Sequence, residues 1–156
     1  MATSRGKQFE LKVREDFNKV GGSFVYRLPD QVGGFKGGSN VSDFICYVYP
    51  NIFLLEVKST SGNTFPLANL TQLEKLLQYK SIPGLRSGVV IWYTERDKVI
   101  YVPASSFEKM KKDGKKSVNI RTIESDGYDY IEIPSKKKRV FLDSDYSVLC
   151  NLPENW

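Results

Sequence analysis

The sequence predicts an α/β fold, a central mixed β-sheet flanked by helices on both faces. Three observations predict it. Residues 5–20 carry Phe9, Val13, Phe17 and Val20 at helical spacing, which marks an amphipathic helix. Two β-prone runs, Phe44 to Tyr49 and Ile52 to Val57, flank Pro50-Asn51 and read as a β-hairpin. These runs are apolar at successive positions, so both faces of the hairpin must be covered.

The first helix, Arg5 to Val20, is stopped by Gly21-Gly22. At 100° per residue Glu10 falls about 20° beyond Phe17, at the margin of the buried stripe. It either reaches inward or pairs with Arg14 one turn on. Ser23 to Leu28 is a short strand, followed by a glycine-rich loop, Pro29 to Asn40. The loop lacks the Gly-Lys-Ser/Thr ending of a phosphate-binding loop and the dinucleotide fingerprint, so no nucleotide cofactor is expected. It places exposed amides, Lys36 and Ser39, with Arg27 just upstream, immediately before Asp43. Such groups suit a nucleic-acid backbone, although the loop also reads as a flexible connection.

In the hairpin, a turn centred on Pro50-Asn51 pairs Asp43 with Lys58 and Ile45 with Glu56. Side chains alternate at period two, so Asp43, Glu56 and Lys58 share one face. A polar turn, Ser59 to Thr64, follows, and Phe65-Pro66-Leu67 leads into a helix that runs to about Lys80. Leu70, Leu73, Leu76 and Leu77 form its stripe, Gln72 flanks that stripe, and Thr71 with Glu74 has capping-box spacing. Pro83-Gly84 ends the unit. Strands Ser87 to Tyr93 and Val99 to Val102 come next, then a short helix opened by Ser105-x-x-Glu108 and closed near Asp113-Gly114. In the tail, Val118 to Ile123 and Tyr128 to Ile133 read as strands, Pro134 to Arg139 as a basic loop and Val140 to Leu142 as a short return.

A chain of 156 residues with no linker or repeat is expected to form a single domain, 1–156. Its 40% hydrophobic and 13% aromatic content fits a globular protein. With no membrane-length apolar run and no signal segment, a cytoplasmic protein is expected. The net charge of +5 favours polyanionic partners. Lysines cluster at 109–116 and 136–139, as solvated helix ends and loops or as a phosphate track. There is no histidine, which excludes histidine general bases, Ser-His-Asp and Cys-His nucleophiles. Cys46 and Cys150 are too few for a zinc site and read as buried thiols.

The chemistry must therefore rest on carboxylates, amines and hydroxyls. Charges inside an apolar strand cost free energy unless they pair or bind an ion. Asp43 and Glu56 can hold Mg²⁺, a hard ion that prefers oxygen ligands and keeps several waters, with Mn²⁺ as a substitute. A water activated there can attack a phosphodiester while Lys58 stabilises the developing charge. The competing reading of Glu-x-Lys is a surface ion pair. Apolar Leu54, Leu55 and Val57 beside it argue against simple exposure.

Asp, a gap of about a dozen residues, then Glu-x-Lys resembles the signature of the PD-(D/E)XK nucleases, whose fold is restriction-endonuclease-like. Within them, Ser42-Asp43-Phe44, Phe53 to Lys58, Phe65-Pro66-Leu67, Gly88 to Ile91 and Val99 to Val102 resemble the RecU-like Holliday junction resolvases. Weaker similarity reaches Leu142-Asp143. The opening Arg5-Gly6-Lys7-Gln8-Phe9-Glu10, with Arg27-Leu28-Pro29, resembles the start of archaeal-type junction resolvases.

The resemblance implies that Glu10, Asp43 and Glu56 surround the metal and that Lys58 assists the attacking water or the transition state. It makes Gln72 the glutamine of the helix after the catalytic strand, though the segment before it is shorter than in bacterial members. It further implies a single nuclease domain and a homodimer on branched DNA, the four-way junction, with Arg5, Lys7, Arg27, Lys36 and Ser39 toward DNA. The segment Leu28 to Ser42 is too short for the projecting stalk of bacterial relatives. A restriction-type or repair nuclease on duplex or flap DNA, and a non-cutting DNA-binding module of the same fold, remain as alternatives at this stage.

Overall fold

The computed structural model describes residues 4–29 and 40–156. Helix α1, Arg5–Phe17, starts where the Ser4 side chain accepts a hydrogen bond from the Lys7 N–H. Strands β1, Phe24–Arg27, β2, Phe44–Val48, and β3, Asn51–Thr60, follow. Next come β4, Thr64–Pro66, α2, Leu73–Leu77, β5, Leu85–Tyr93, β6, Lys98–Pro103, and α3, Ala104–Lys112. The chain finishes with β7, Ser117–Asn119, β8, Ile131–Ile133, β9, Ser135–Lys137, β10, Leu142–Ser144, and a 3-10 turn, Tyr146–Asn151.

Six strands form the main sheet in the order β1-β2-β3-β5-β6-β8. Within it β3 and β5 run parallel and the other neighbours antiparallel, so the sheet is mixed as expected. One core packs Phe9, Val13 and Phe17 of α1, with Tyr146 and Leu149, against Phe44, Phe53, Leu55, Val90 and Trp92. The other packs Leu73 and Leu76 of α2 and Phe107 and Met110 of α3 against Leu54, Val89, Ile91 and Val102. Alternate residues of β3 thus enter different cores, which explains its uninterrupted apolar sequence. Among the described residues no helix is long and apolar enough to cross a membrane.

Gly88 on β5 is required by a close approach. A Cβ there would lie 2.4 Å from the Tyr101 ring, which occupies the space above it.

The hairpin register differs from the expectation. Val48 pairs with Asn51 and Phe44 with Leu55, so the turn is Tyr49-Pro50. Asn51 is held in the strand by Arg86, whose Nε donates to its Oδ1 at 3.2 Å in a buried contact. The displacement is even, so every side chain keeps its face. Asp43, just outside β2, now lies opposite Glu56 instead of Lys58.

Two other elements are shorter than their patterns suggest, and a third starts earlier. The chain leaves α1 at Phe17, not Val20, through a turn that ends with Gly22 at φ 71°. The stretch Leu67 to Lys80 is broken: Leu67–Asn69 is a 3-10 turn, Leu70 has ψ 76°, and α2 spans only Leu73–Leu77. Burial of Leu70, Leu73 and Leu76 preserves the stripe without a continuous helix. The Thr71 hydroxyl donates to the Gln72 side chain instead of capping. Helix α3 begins directly after Pro103, which β6 holds extended opposite Gly88. Ser105 is therefore inside the helix, and Glu108 accepts from Lys80.

The tail strands shrink as well. Asn119 Oδ1 accepts from the Arg121 N–H and turns the chain after β7, while only Ile131–Ile133 of the later run joins the sheet. The basic stretch is not a loop throughout, because β9 pairs with β10 as a small hairpin. Asp16, buried on α1, accepts from Lys12 and from the Ser144 N–H, fastening that hairpin to the helix.

Candidate active site

Strand lengths create the site. β3 continues past the start of β2, so the Val57 N–H has no partner on that strand. A buried amide needs an acceptor, and Asp43 Oδ2 supplies it at 2.9 Å. On the other side of Asp43, its carbonyl accepts from the Leu28 N–H at 2.9 Å. Leu28, Asp43 and Glu56 consequently form one row across three strand ends.

Glu56 is 1% exposed, and its Oε2 has no hydrogen-bond partner. Its Oε1 lies 3.4 Å from Lys58 Nζ. Burial pushes the Glu56 carboxyl up to about 8; the charge of Asp43 adds to this, and the Lys58 ammonium opposes it. A buried carboxyl beside a second carboxylate favours its protonated form until a cation joins them.

Glu10 approaches from the α1 side of the sheet. Its Oε2 accepts from Arg27 Nε and Nη2 at 3.1 and 2.8 Å, with Lys7 Nζ 3.9 Å away. A groove of about 300 Å³ lies between, lined by Lys7, Phe9, Glu10, Val57, Lys58 and Ser59. Glu10 thus reaches inward, and its partner is Arg27, not Arg14.

The structure brings Asp43, Glu56 and Lys58 together. It does not gather Glu10 with both other carboxylates: among the described residues no group of three acidic, cysteine or histidine side chains could hold a metal ion. The Asp43–Glu56 pair nevertheless fits a hard divalent cation. Both donors are carboxylate oxygens, and one of them is buried without a partner.

Among the expected DNA-facing residues, Arg5 and Lys7 are exposed on the first turn of α1, while Arg27 is held by Glu10 and the Leu28 carbonyl. Lys36 and Ser39 lie outside the described residues. Gln72 sits at the start of α2 beside Thr71, and among the described residues no hydrogen bond joins it to Asp43 or Glu56. Two supports escaped sequence reasoning. The Val57 amide is a main-chain donor freed by unequal strand lengths, and no residue type signals it. Arg86 fixes the register through Asn51, and a lone arginine before an apolar run is the only trace it leaves.

A mixed sheet between two helical layers, with Asp43 and a Glu-x-Lys strand meeting at one end, defines a restriction-endonuclease-like nuclease fold. The profile of RecU, recombination protein U, matches residues 33–143, and the chain belongs to that family. The expectation of a RecU-like resolvase is thereby borne out. Among solved structures, Archaeoglobus fulgidus Hjc, a Holliday junction resolvase from an archaeal hyperthermophile, is similar in fold. Its TM-score is 0.52 at 19% identity, over 65% of this chain and 78% of that one. No curated protein sequence matches the chain.

Proposed function

We propose that residues 1–156 form a single nuclease domain, a cytoplasmic Mg²⁺-dependent endodeoxyribonuclease. It acts as a homodimer and cuts four-way DNA junctions symmetrically in recombination and repair. The observation that carries the reading is the buried Glu56 carboxyl, with one oxygen unpartnered, beside Asp43 and Lys58. RecU membership supports the substrate class.

Asp43 and Glu56 would hold the ion. Mg²⁺, or Mn²⁺ in its place, would supply positive charge that favours ionisation of water and offsets charge on the phosphate. Asp43 is aimed by the Val57 amide, so its free oxygen keeps a constant direction. Glu56 would hold the ion as the carboxylate, its proton having passed to solvent. Lys58 presents an ammonium beside the same carboxylate, where it stabilises the added negative charge as the phosphodiester is attacked. Glu10 and Arg27 hold α1 over the strand ends, and Lys7 at the groove meets the DNA backbone. A two-fold dimer matches the two-fold symmetry of the junction and couples two cuts.

Labelled four-way junction, linear duplex, flap and single strand, each incubated with Mg²⁺ or chelator, test this. Paired nicks across the junction, dependent on metal and lost in Asp43→Asn, are expected. Equal cutting of duplex would replace the resolvase with a general endonuclease, and binding without cutting would reduce it to a DNA-binding module.

A further inference from the structure

Helices α2 and α3 cover β3, β5 and β6 on one side of the sheet; among the described residues Ile45 of β2 is half-buried at the edge of that cover, and β1 lies beyond it. Strand alternation and register put Phe24 and Tyr26 of β1, Ile45 and Tyr47 of β2, and Ile52 of β3 on this face. Asp43 and Glu56 lie on the same face. Tyr26, opposite Ile45, is in the second row from the carboxylate row, and Phe24, opposite Tyr47, is in the fourth. Phe24 is 54% and Tyr26 51% exposed, and no acidic residue occupies these rows. Their rings are stacked, parallel within 1° with centroids 6.5 Å apart.

We propose that Tyr26 and Phe24 form a stacking platform for unpaired DNA bases next to the cleavage site. The proposal rests on the nuclease reading and names the part of the substrate this face takes. Every base has a π-face, and aromatic rings on a sheet bind single-stranded nucleic acid through it without reading sequence. A branch point interrupts the helical stack, and bases that open there are the ones within reach of a strand being cut at Asp43 and Glu56.

The test uses the full chain with chelator present, so that binding is read without cutting. Four-way junctions and single strands carrying 2-aminopurine, at the crossover in the former, report stacking by fluorescence. Wild type should change the probe signal on both. Phe24→Ala with Tyr26→Ala should abolish the change and weaken single-strand binding by about 5-fold or more per ring. Tyr26→Trp should retain both, which separates loss of stacking from loss of fold. Sedimentation should show the same oligomeric state for all variants. Unchanged binding and fluorescence in the double variant overturn the platform, and dissociation of a wild-type oligomer by it assigns the face to a second copy instead. Failure of wild type to cut any DNA in Mg²⁺ would strike the nuclease reading, whereas normal cutting with an indifferent double variant strikes the platform alone.

Discussion

Asp43 Oδ2 accepts the Val57 N–H at 2.9 Å, which fastens the residue before β2 to the strand that carries Glu56 and Lys58. This bond turns two acidic residues distant in sequence into a pair. It also leaves Glu56 buried beside a like charge, with consequences that can be measured.

The first concerns pH. Glu56 titrates at about 8 in the folded protein against an ordinary value of 4.5. Between these values the folded state binds more protons than the unfolded state, so this group lowers stability as pH rises through that window. Metal-free Glu56→Gln should melt with wild type at pH 5 and several degrees above it at pH 9. Mg²⁺ should raise the wild-type melting temperature at pH 9 and leave the variant unmoved. Coincident melting curves of the metal-free proteins at pH 9 would show that Glu56 is not strained by its surroundings.

Catalysis should respond to the same groups differently. Asp43→Asn and Glu56→Gln should abolish junction cutting with circular dichroism unchanged, and unimpaired cutting by either folded variant rules out this site. Lys58→Ala should slow single-turnover cleavage by roughly 10²- to 10³-fold, the scale of one preorganised electrostatic group. A loss smaller than tenfold makes Lys58 a structural partner of Glu56.

Arg27 and Glu10 join β1 to α1 through partly buried charge-assisted hydrogen bonds. Arg27→Ala should cost about 1–3 kcal/mol in urea denaturation. Combined with Glu10→Gln it should show a coupling well above ~0.5 kcal/mol, the additivity limit for independent sites. Additive losses would make the pair incidental.

Gly88→Ala forces a methyl against the Tyr101 ring at 2.4 Å. Overpacking of this kind costs about 1–3 kcal/mol, so the variant should melt lower, and Tyr101→Leu in the same chain should recover part of the loss. A neutral Gly88→Ala would mean that Tyr101 moves away freely.

The candidate site was legible to different degrees in its different residues. Asp43, Glu56 and Lys58 stood out because charge in an apolar run is costly and therefore conspicuous. Their common face survived a wrong turn position because the displacement was even. Glu10 was visible only as a helix-margin residue, and its choice of Arg27 over Arg14 depends on where β1 lies against α1. The expected helix through Lys80 is broken because a leucine stripe reports burial, and a 3-10 turn followed by the non-helical Leu70 buries the same leucines.

The sequence by itself determined the elements and their faces: amphipathic period for α1, apolar runs for β2, β3, β5 and β6, and the strand bearing Glu-x-Lys. These are local properties, set by side-chain periodicity and backbone preference within a few residues. Only the tertiary structure decided the register, through Arg86 reaching Asn51 from a neighbouring strand, and the partner of Asp43, through an amide that unequal strand lengths leave open. It also decided that Phe24 and Tyr26 of β1 stay exposed, since that depends on how far α2 and α3 extend across the sheet. Such outcomes rest on contacts between residues far apart in the chain, which no local pattern encodes.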